Sequence, residues 1–190
     1  MATTIVNRRN KIHPWKFALW LGCGSITMMF AAWTSAYVVR QGAGNWLEFK
    51  LPTMFFYSTA VLILSSVTLQ GSYMSFKRGN EGLYKILLLL TTVLGFAFIG
   101  MQYLGWLKMA EIGVPLRLNP SGDFIYVFTS FHAAHVLGGI VVLTVALIHA
   151  FSLKFNPSPK RRLRFELTLT YRHFVDFLWI YLFSFFLLQS

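Results

Sequence analysis

The sequence predicts an all-α integral membrane protein, folded as a bundle of five transmembrane helices in a single membrane domain. Of its 190 residues, 56% are hydrophobic and only 12% are charged, whereas a soluble protein carries about 25% charged residues. Four uncharged stretches of 22 to 30 residues match or exceed the ~20 residues that a helix needs to cross a bilayer. These stretches exclude disordered, collagen-like and soluble nucleic-acid-binding proteins.

The first helix is predicted over about residues 16–40, after a cytoplasmic N-terminal arm at 1–15. Its uncharged run, 17–39, is longer than the roughly 7–15 apolar residues of a secretory signal. We therefore expect this segment to be kept as a membrane helix and not to be cleaved.

Gly, Asn, Pro and Ser cluster between the later apolar stretches, and these residues are typical of helix ends and turns. No connection is long enough for a folded domain outside the membrane, so we predict one membrane domain over residues 16–190. The other four helices are predicted over about 51–76, 84–107, 123–153 and 171–190.

The net charge of +11 indicates the orientation of the chain. Thirteen of the 17 Lys and Arg residues lie in the N-terminal arm, the second connection and the fourth connection, which all lie on one side of the membrane. Loops rich in Lys and Arg stay in the cytoplasm. We therefore predict a cytoplasmic N-terminus and a periplasmic C-terminus in a bacterial inner membrane, and the charge requires no nucleic-acid partner.

Ionisable residues near the inner end of the last helix are candidates for a functional cluster. An Asp near the centre of a membrane helix costs about 2.5–3.5 kcal/mol, so its presence requires an explanation. Asp176 lies three residues after His173, and Glu166 lies seven before it, which places the three on roughly one helix face. With His149 they could form a polar cluster at the cytoplasmic boundary, or interfacial water could hydrate each of them separately.

His132 and His135 lie deeper in the membrane, on the fourth helix. A pair at i and i+3 projects from one face and could supply two metal ligands. The other helices offer only Cys23 and methionines at a matching depth. We therefore interpret the two histidines as hydrogen-bonding groups between helices or toward a partner subunit.

A haem protein is the alternative reading of the histidines. His149 and His173 could hold one haem between two helices, which would make the chain a small b-type protein that passes electrons between quinone and a partner. The sequence does not supply the histidine ligands that a second haem would need. The sequence shows no Gly-rich phosphate loop, catalytic triad or paired catalytic carboxylates, so neither a hydrolase nor a kinase is predicted.

Two motifs resemble a known family. Residues 131–139 read Phe-His-Ala-Ala-His-Val-Leu-Gly-Gly, and residues 171–179 read Tyr-Arg-His-Phe-Val-Asp-Phe-Leu-Trp. They resemble the Phe-His-Gly-Leu-His-Val and Tyr-Trp-His-Phe-Val-Asp-Val-Val-Trp motifs of cytochrome c oxidase subunit III, from the haem-copper respiratory oxidases. Glu166 and Gln102 match two further family positions. The resemblance covers about residues 14–188, and five helices suit a short bacterial form that lacks the first two of seven.

The resemblance implies a non-redox accessory subunit that binds no cofactor of its own. Haem and copper are expected in the partner, catalytic subunit I, and structural phospholipid is expected between helices. Such a subunit stabilises the catalytic subunit and supports proton uptake while the complex reduces oxygen to water and pumps protons. Other oxidase subunits are expected partners. The sequence does not decide whether the oxidase joins a larger respiratory supercomplex.

The sequence departs from the family at three positions. Ile26 and Gly105 stand where the family has glutamates, so the roles of those carboxylates do not transfer. Arg172 replaces a tryptophan and adds a cation beside Asp176 and Glu166, which favours an ion-pair cluster. Basic residues near the inner face attract anionic headgroups. The candidates for headgroup binding are Arg8, Arg9, Lys77, Arg78, Arg161, Arg162 and Arg172.

Overall fold

A computed structural model of the chain describes residues 13–152 and 158–189, and the predicted fold class is confirmed there. Each of its five helices is long and apolar enough to cross a membrane. In chain order they are α1 (Pro14–Gly42), α2 (Met54–Lys77), α3 (Glu81–Glu111), α4 (Pro120–Ser152) and α5 (Pro159–Gln189). Arg8 and Arg9 lie outside the described residues.

Local sequence explains where the helices begin. Pro14 opens α1, where its fixed φ suits the first turn, and the His13 ring accepts a hydrogen bond from the Trp15 N–H at 3.4 Å. Asn80 caps α3 by accepting a hydrogen bond from the Leu83 N–H at 3.3 Å. Gly79, with φ of +78°, makes the left-handed turn between α2 and α3 that other residues rarely adopt.

The predicted start of the last helix is wrong by twelve residues, because α5 begins at Pro159 and not near residue 171. The basic residues at 160–164 lie before the apolar segment but inside the helix. Lys and Arg are good helix formers, and Pro is favoured in the first turn, so α5 extends beyond its apolar segment. As a result, Glu166 and Arg172 belong to the same continuous helix as Asp176.

The helices pack around α5, which contacts α1, α2 and α4. Helix α3 packs between α2 and α4, and α1 packs against α4 and α5. The α2–α3 contact is lined by Ser58, Ser65 and Ser72, all buried and seven residues apart. Small side chains let membrane helices approach closely. The Ser65 and Ser72 hydroxyls also donate hydrogen bonds to backbone carbonyls of α3, at 3.3 and 3.2 Å.

Trp179 occupies the centre of the bundle and is fully buried. Its ring is stacked with Phe55 of α2 and meets Phe98 of α3 edge-on, with centroids 6.2 and 5.3 Å apart. Its indole N–H donates a hydrogen bond to the Thr59 hydroxyl at 2.8 Å. Trp179 therefore links α5 to α2 and α3. It lies on the same face of α5 as Asp176.

Candidate functional site

Arg172 and Asp176 form an ion pair in the interior of the bundle. They lie one turn apart on α5, with Arg172 Nε 3.3 Å from Asp176 Oδ1, and their side chains are only 1% and 7% exposed. Arg172 Nη2 donates a hydrogen bond to the Ser65 hydroxyl of α2 at 3.2 Å. Two opposite charges thus lie inside the protein, where each needs the other because no solvent screens them.

The depth of this pair follows from its neighbours. Arg172 Nη2 lies 4.0 Å from the position that a Cβ on Gly95 would take. Gly95 is 14 residues from the start of α3 and 16 from its end, or roughly 21–24 Å at 1.5 Å per residue. The pair therefore lies near the middle of a membrane-spanning helix. At that depth, an ionisable side chain is a candidate functional group.

His173 joins α5 to α2 with both ring nitrogens. Its Nδ1 lies 2.7 Å from the Ser66 hydroxyl, and its Nε2 lies 3.2 Å from the Gln70 side-chain oxygen. Neither nitrogen is left for a metal ion. The haem alternative, which needs His173 as an axial ligand, is therefore not supported by this geometry.

His132 and His135 have different surroundings although they are three residues apart. His132 is fully buried, and its ring lies 4.9 Å from that of Trp179. Among the described residues its two nitrogens have no hydrogen-bond partner, so the expected hydrogen bonds between helices are absent within this part of the chain. His135 is half-buried, with Nδ1 2.7 Å from the Phe131 carbonyl of its own helix.

Glu166 belongs to a separate cluster and does not pair with Arg172. Its carboxylate lies 3.1 Å from Lys16 Nζ of α1 and 3.4 Å from Arg162 Nε, and it accepts a hydrogen bond from the Tyr73 hydroxyl of α2 at 2.8 Å. Glu166 therefore joins α1, α2 and α5 near their ends. The expected single ion-pair cluster is thus two clusters, because Arg172 faces the interior.

The other expected site residues lie apart from these clusters. Gln102 is buried, and its amide donates a hydrogen bond to the Ser58 hydroxyl at 3.0 Å. His149 lines a cavity between α4 and α5, and His173 is not among the lining residues. Within residues 13–152 and 158–189, no group of three or more His, Cys, Asp or Glu side chains could hold a metal ion.

One expected headgroup ligand is wrong. Arg172 is enclosed by protein and paired with Asp176, so its guanidinium does not meet a lipid headgroup. Lys77, Arg78 and Arg162 are exposed near the ends of their helices, and Arg161 is partly exposed. Headgroup binding by these four stays a prediction.

Several partners in these clusters were missed from the sequence, namely Lys16, Gln70 and Tyr73. Gln70 lies four residues after Ser66, so the spacing of polar residues within a span could have indicated it. Lys16 and Tyr73 lie 150 and 93 residues from Glu166 and gave no such local signal.

Comparison with known proteins identifies the family. The family model of cytochrome c oxidase subunit III matches residues 44–189, which include α2 to α5. The chain belongs to the cytochrome c oxidase subunit III family. The match includes the buried Arg172–Asp176 pair and Glu166 with Tyr73 and Arg162, whereas Lys16 lies before it.

Individual relatives agree with this assignment. A probable cytochrome c oxidase subunit 3 of Nocardia farcinica is 30% identical over 187 residues, covering 94% of this chain and 88% of the relative. Cytochrome c oxidase subunit 3 of Corynebacterium diphtheriae is 31% identical and covers 82% and 76%. The chicken (Gallus gallus) protein of that name is 33% identical over 126 residues, and this chain spans only 46% of it.

Replacing Gly105 tests whether the family glutamate could fit at this position. A Cβ on Gly105 would lie 3.3 Å from the ring of Phe55, which is buried and stacked with Trp179. A Cβ on Gly100, in the same helix, would meet nothing within 4 Å. We expect the free energy of unfolding of Gly105→Ala to be about 1–3 kcal/mol lower than that of Gly100→Ala, because the added methyl group is overpacked against Phe55.

The measurement is denaturant unfolding of the purified chain in mild detergent. Gly105→Glu is expected to be less stable still, because its longer side chain must displace Phe55. Equal stability of Gly105→Ala and Gly100→Ala would show that Phe55 moves aside freely and would contradict the prediction.

Proposed function

We propose that this chain is the non-redox accessory subunit III of a haem-copper terminal oxidase, the complex that reduces oxygen to water and pumps protons. The family match over residues 44–189 is the observation that carries the proposal. In this assignment haem and copper belong to the partner, catalytic subunit I. The chain supplies packing surface, bound phospholipid and support for proton uptake, and it carries out no chemistry itself.

The exposed surface of α1 supports a role in assembly. Only four of its residues are buried within the chain, Cys23, Phe30, Thr34 and Tyr37. Trp20, Met28 and Val39 are 63–75% exposed. A helix with so much exposed apolar surface is suited to contact with lipid or with the helices of another subunit.

The proposed location is the bacterial inner membrane, with the N-terminus in the cytoplasm and the C-terminus in the periplasm. The distribution of Lys and Arg supports this orientation. It places the Glu166 cluster near the cytoplasmic boundary, because α5 begins on that side. The proposed partners are the catalytic subunit, other oxidase subunits and phospholipid, and the chain could join a larger respiratory supercomplex.

Co-purification tests the proposed function. The full-length chain, carrying an affinity tag, is solubilised from its native membrane in mild detergent. We expect it to bring down a large multi-helix subunit with a haem and copper spectrum, and to show no Soret band after that subunit is removed.

Two results would contradict the proposal. The first is purification without any haem-copper subunit in repeated mild extractions. The second is a Soret band that stays with the isolated chain and disappears in His149→Leu, which would assign haem to this chain.

A further inference from the structure

His135 lies near the middle of the membrane, on a side of α4 that the other described helices leave partly open. It is 15 residues from the start of α4 and 17 from its end, or roughly 22–26 Å along the axis. Phe131, Ala134 and Gly138 lie next to it on the helix surface, and all three are exposed. We call these four residues the His135 face.

The hydrogen bonds of His135 leave one ring nitrogen as an acceptor. Nδ1 lies 2.7 Å from the Phe131 carbonyl, and since a carbonyl only accepts, Nδ1 carries the proton of the neutral ring. Nε2 then has a lone pair and no proton. No described residue donates to it, and the Tyr171 hydroxyl of α5 donates to the His135 carbonyl instead, at 3.0 Å. Unlike the nitrogens of His132, Nε2 is not enclosed by the described part of the chain.

The surroundings of Nε2 decide what kind of molecule can satisfy it. Lipid tails carry no hydrogen-bond donor, and an unsatisfied polar group in the bilayer core is costly. A second copy of this chain, related by a two-fold axis at this face, would place one His135 opposite another, and both Nε2 atoms would be acceptors. The donor that fits is therefore a hydroxyl, amide or indole N–H on a transmembrane helix of a different protein.

Small side chains beside His135 let such a helix approach closely. Ala134 and Gly138 are four residues apart and form a flat patch. A Cβ on Gly138 would meet only the Tyr171 hydroxyl, at 3.8 Å, so the packing of the described chain does not require glycine there. At Gly95 and Gly105, by contrast, side chains of this chain lie 3.1 and 3.3 Å from the Cβ position. Gly138 thus leaves its space to a neighbour outside the chain.

We infer that the His135 face binds a transmembrane helix of a partner subunit, and that a polar side chain of this helix donates a hydrogen bond to His135 Nε2. The inference rests on the proposed function only for the identity of the partner, a subunit of the oxidase. It goes beyond the proposed function by assigning the contact to one face of α4 and one acceptor atom.

Replacing His135 tests the hydrogen bond. The full-length tagged chain is purified from its native membrane in mild detergent, and the amount of partner that stays bound is measured. We expect His135→Leu to retain about fivefold less partner, the effect of one hydrogen bond between membrane helices. Leu keeps an apolar side chain against Phe30, whose ring centroid lies 6.1 Å from that of His135. His135→Gln is expected to restore most of the binding, because its side-chain oxygen can accept.

Replacing Gly138 tests the close approach. We expect Gly138→Leu to retain less partner than His135→Leu, because its side chain keeps the helices apart. Gly100→Leu is the matched control, since Gly100 is also exposed and a Cβ there would meet nothing within 4 Å. It is expected to retain the partner fully. Denaturant unfolding of each isolated chain in detergent shows that the variants are folded.

Cross-linking in the native membrane identifies the occupant. A photoreactive benzoylphenylalanine in place of Ala134 is expected to capture a membrane-spanning peptide of another subunit that carries a hydroxyl, amide or indole side chain. Cross-links only to lipid, or only to a second copy of this chain, would overturn the inference.

The binding measurements can also overturn it. Full retention of the partner by both His135→Leu and Gly138→Leu would place the contact elsewhere. Failure of His135→Gln to bind better than His135→Leu would show that the histidine acts by its shape and not as an acceptor. If the captured helix belongs to a membrane protein without haem or copper, and His135→Leu weakens that contact, only the proposed function is contradicted.

Discussion

Asp176→Asn is expected to lower the free energy of unfolding by about 3–5 kcal/mol, because it leaves the buried guanidinium of Arg172 without its counter-ion. Arginine does not lose its proton in proteins, so the charge remains. Arg172→Met is expected to lower stability less, since the carboxyl group of Asp176 can become neutral by binding a proton. The measurement is denaturant unfolding of the purified full-length chain in mild detergent.

The double variant Arg172→Met/Asp176→Asn provides the sharpest comparison. It removes both charges, so we expect it to be more stable than Asp176→Asn alone. Lys108→Met is the control, because Lys108 pairs with Glu111 on the surface, where both side chains are more than half exposed. It is expected to change stability little. Additive effects of the two single substitutions would show that Arg172 and Asp176 do not depend on each other.

The number of membrane helices could be predicted from the sequence because the bilayer sets a minimum length for an uncharged span. The start of α5 could not, because hydropathy marks where a helix enters the membrane and not where it begins. Residues 159–170 are helical but include five charged side chains, so a hydropathy pattern predicts a connection there. Residues that form or break helices, such as Pro159, give the better signal for that boundary.

The inward face of each helix was harder to predict. In a bilayer, lipid is as apolar as leucine, so no hydrophobic stripe separates the buried side of a helix from the exposed side. His132 and His135 illustrate this, since the first is fully buried and the second half-buried. The sequence correctly indicated Arg172 as a partner of Asp176, one turn away. It could not indicate that Lys16 of α1 reaches Glu166, because that contact depends on which helices are neighbours.

Trp179→Ala is expected to lower the free energy of unfolding by about 3–5 kcal/mol, the usual range for truncating a buried tryptophan. The ring is fully buried and contacts Phe55, Phe98 and His132, so its removal leaves a cavity between α2, α3, α4 and α5. Helix association in a membrane depends on close packing, and a cavity removes the van der Waals contacts of the residues that line it. The substitution also removes the hydrogen bond to Thr59.

Phe177→Ala is the matched control, because Phe177 lies two residues away on the same helix and is 71% exposed. We expect it to keep nearly the stability of the parent chain in detergent, since no packed neighbour loses its contact. Trp179→Phe is expected to fall between the two, because it keeps part of the ring packing and loses the indole N–H. If Trp179→Ala and Phe177→Ala were equally stable, the bundle would have to be held together elsewhere, and Trp179 would not be its central packing residue.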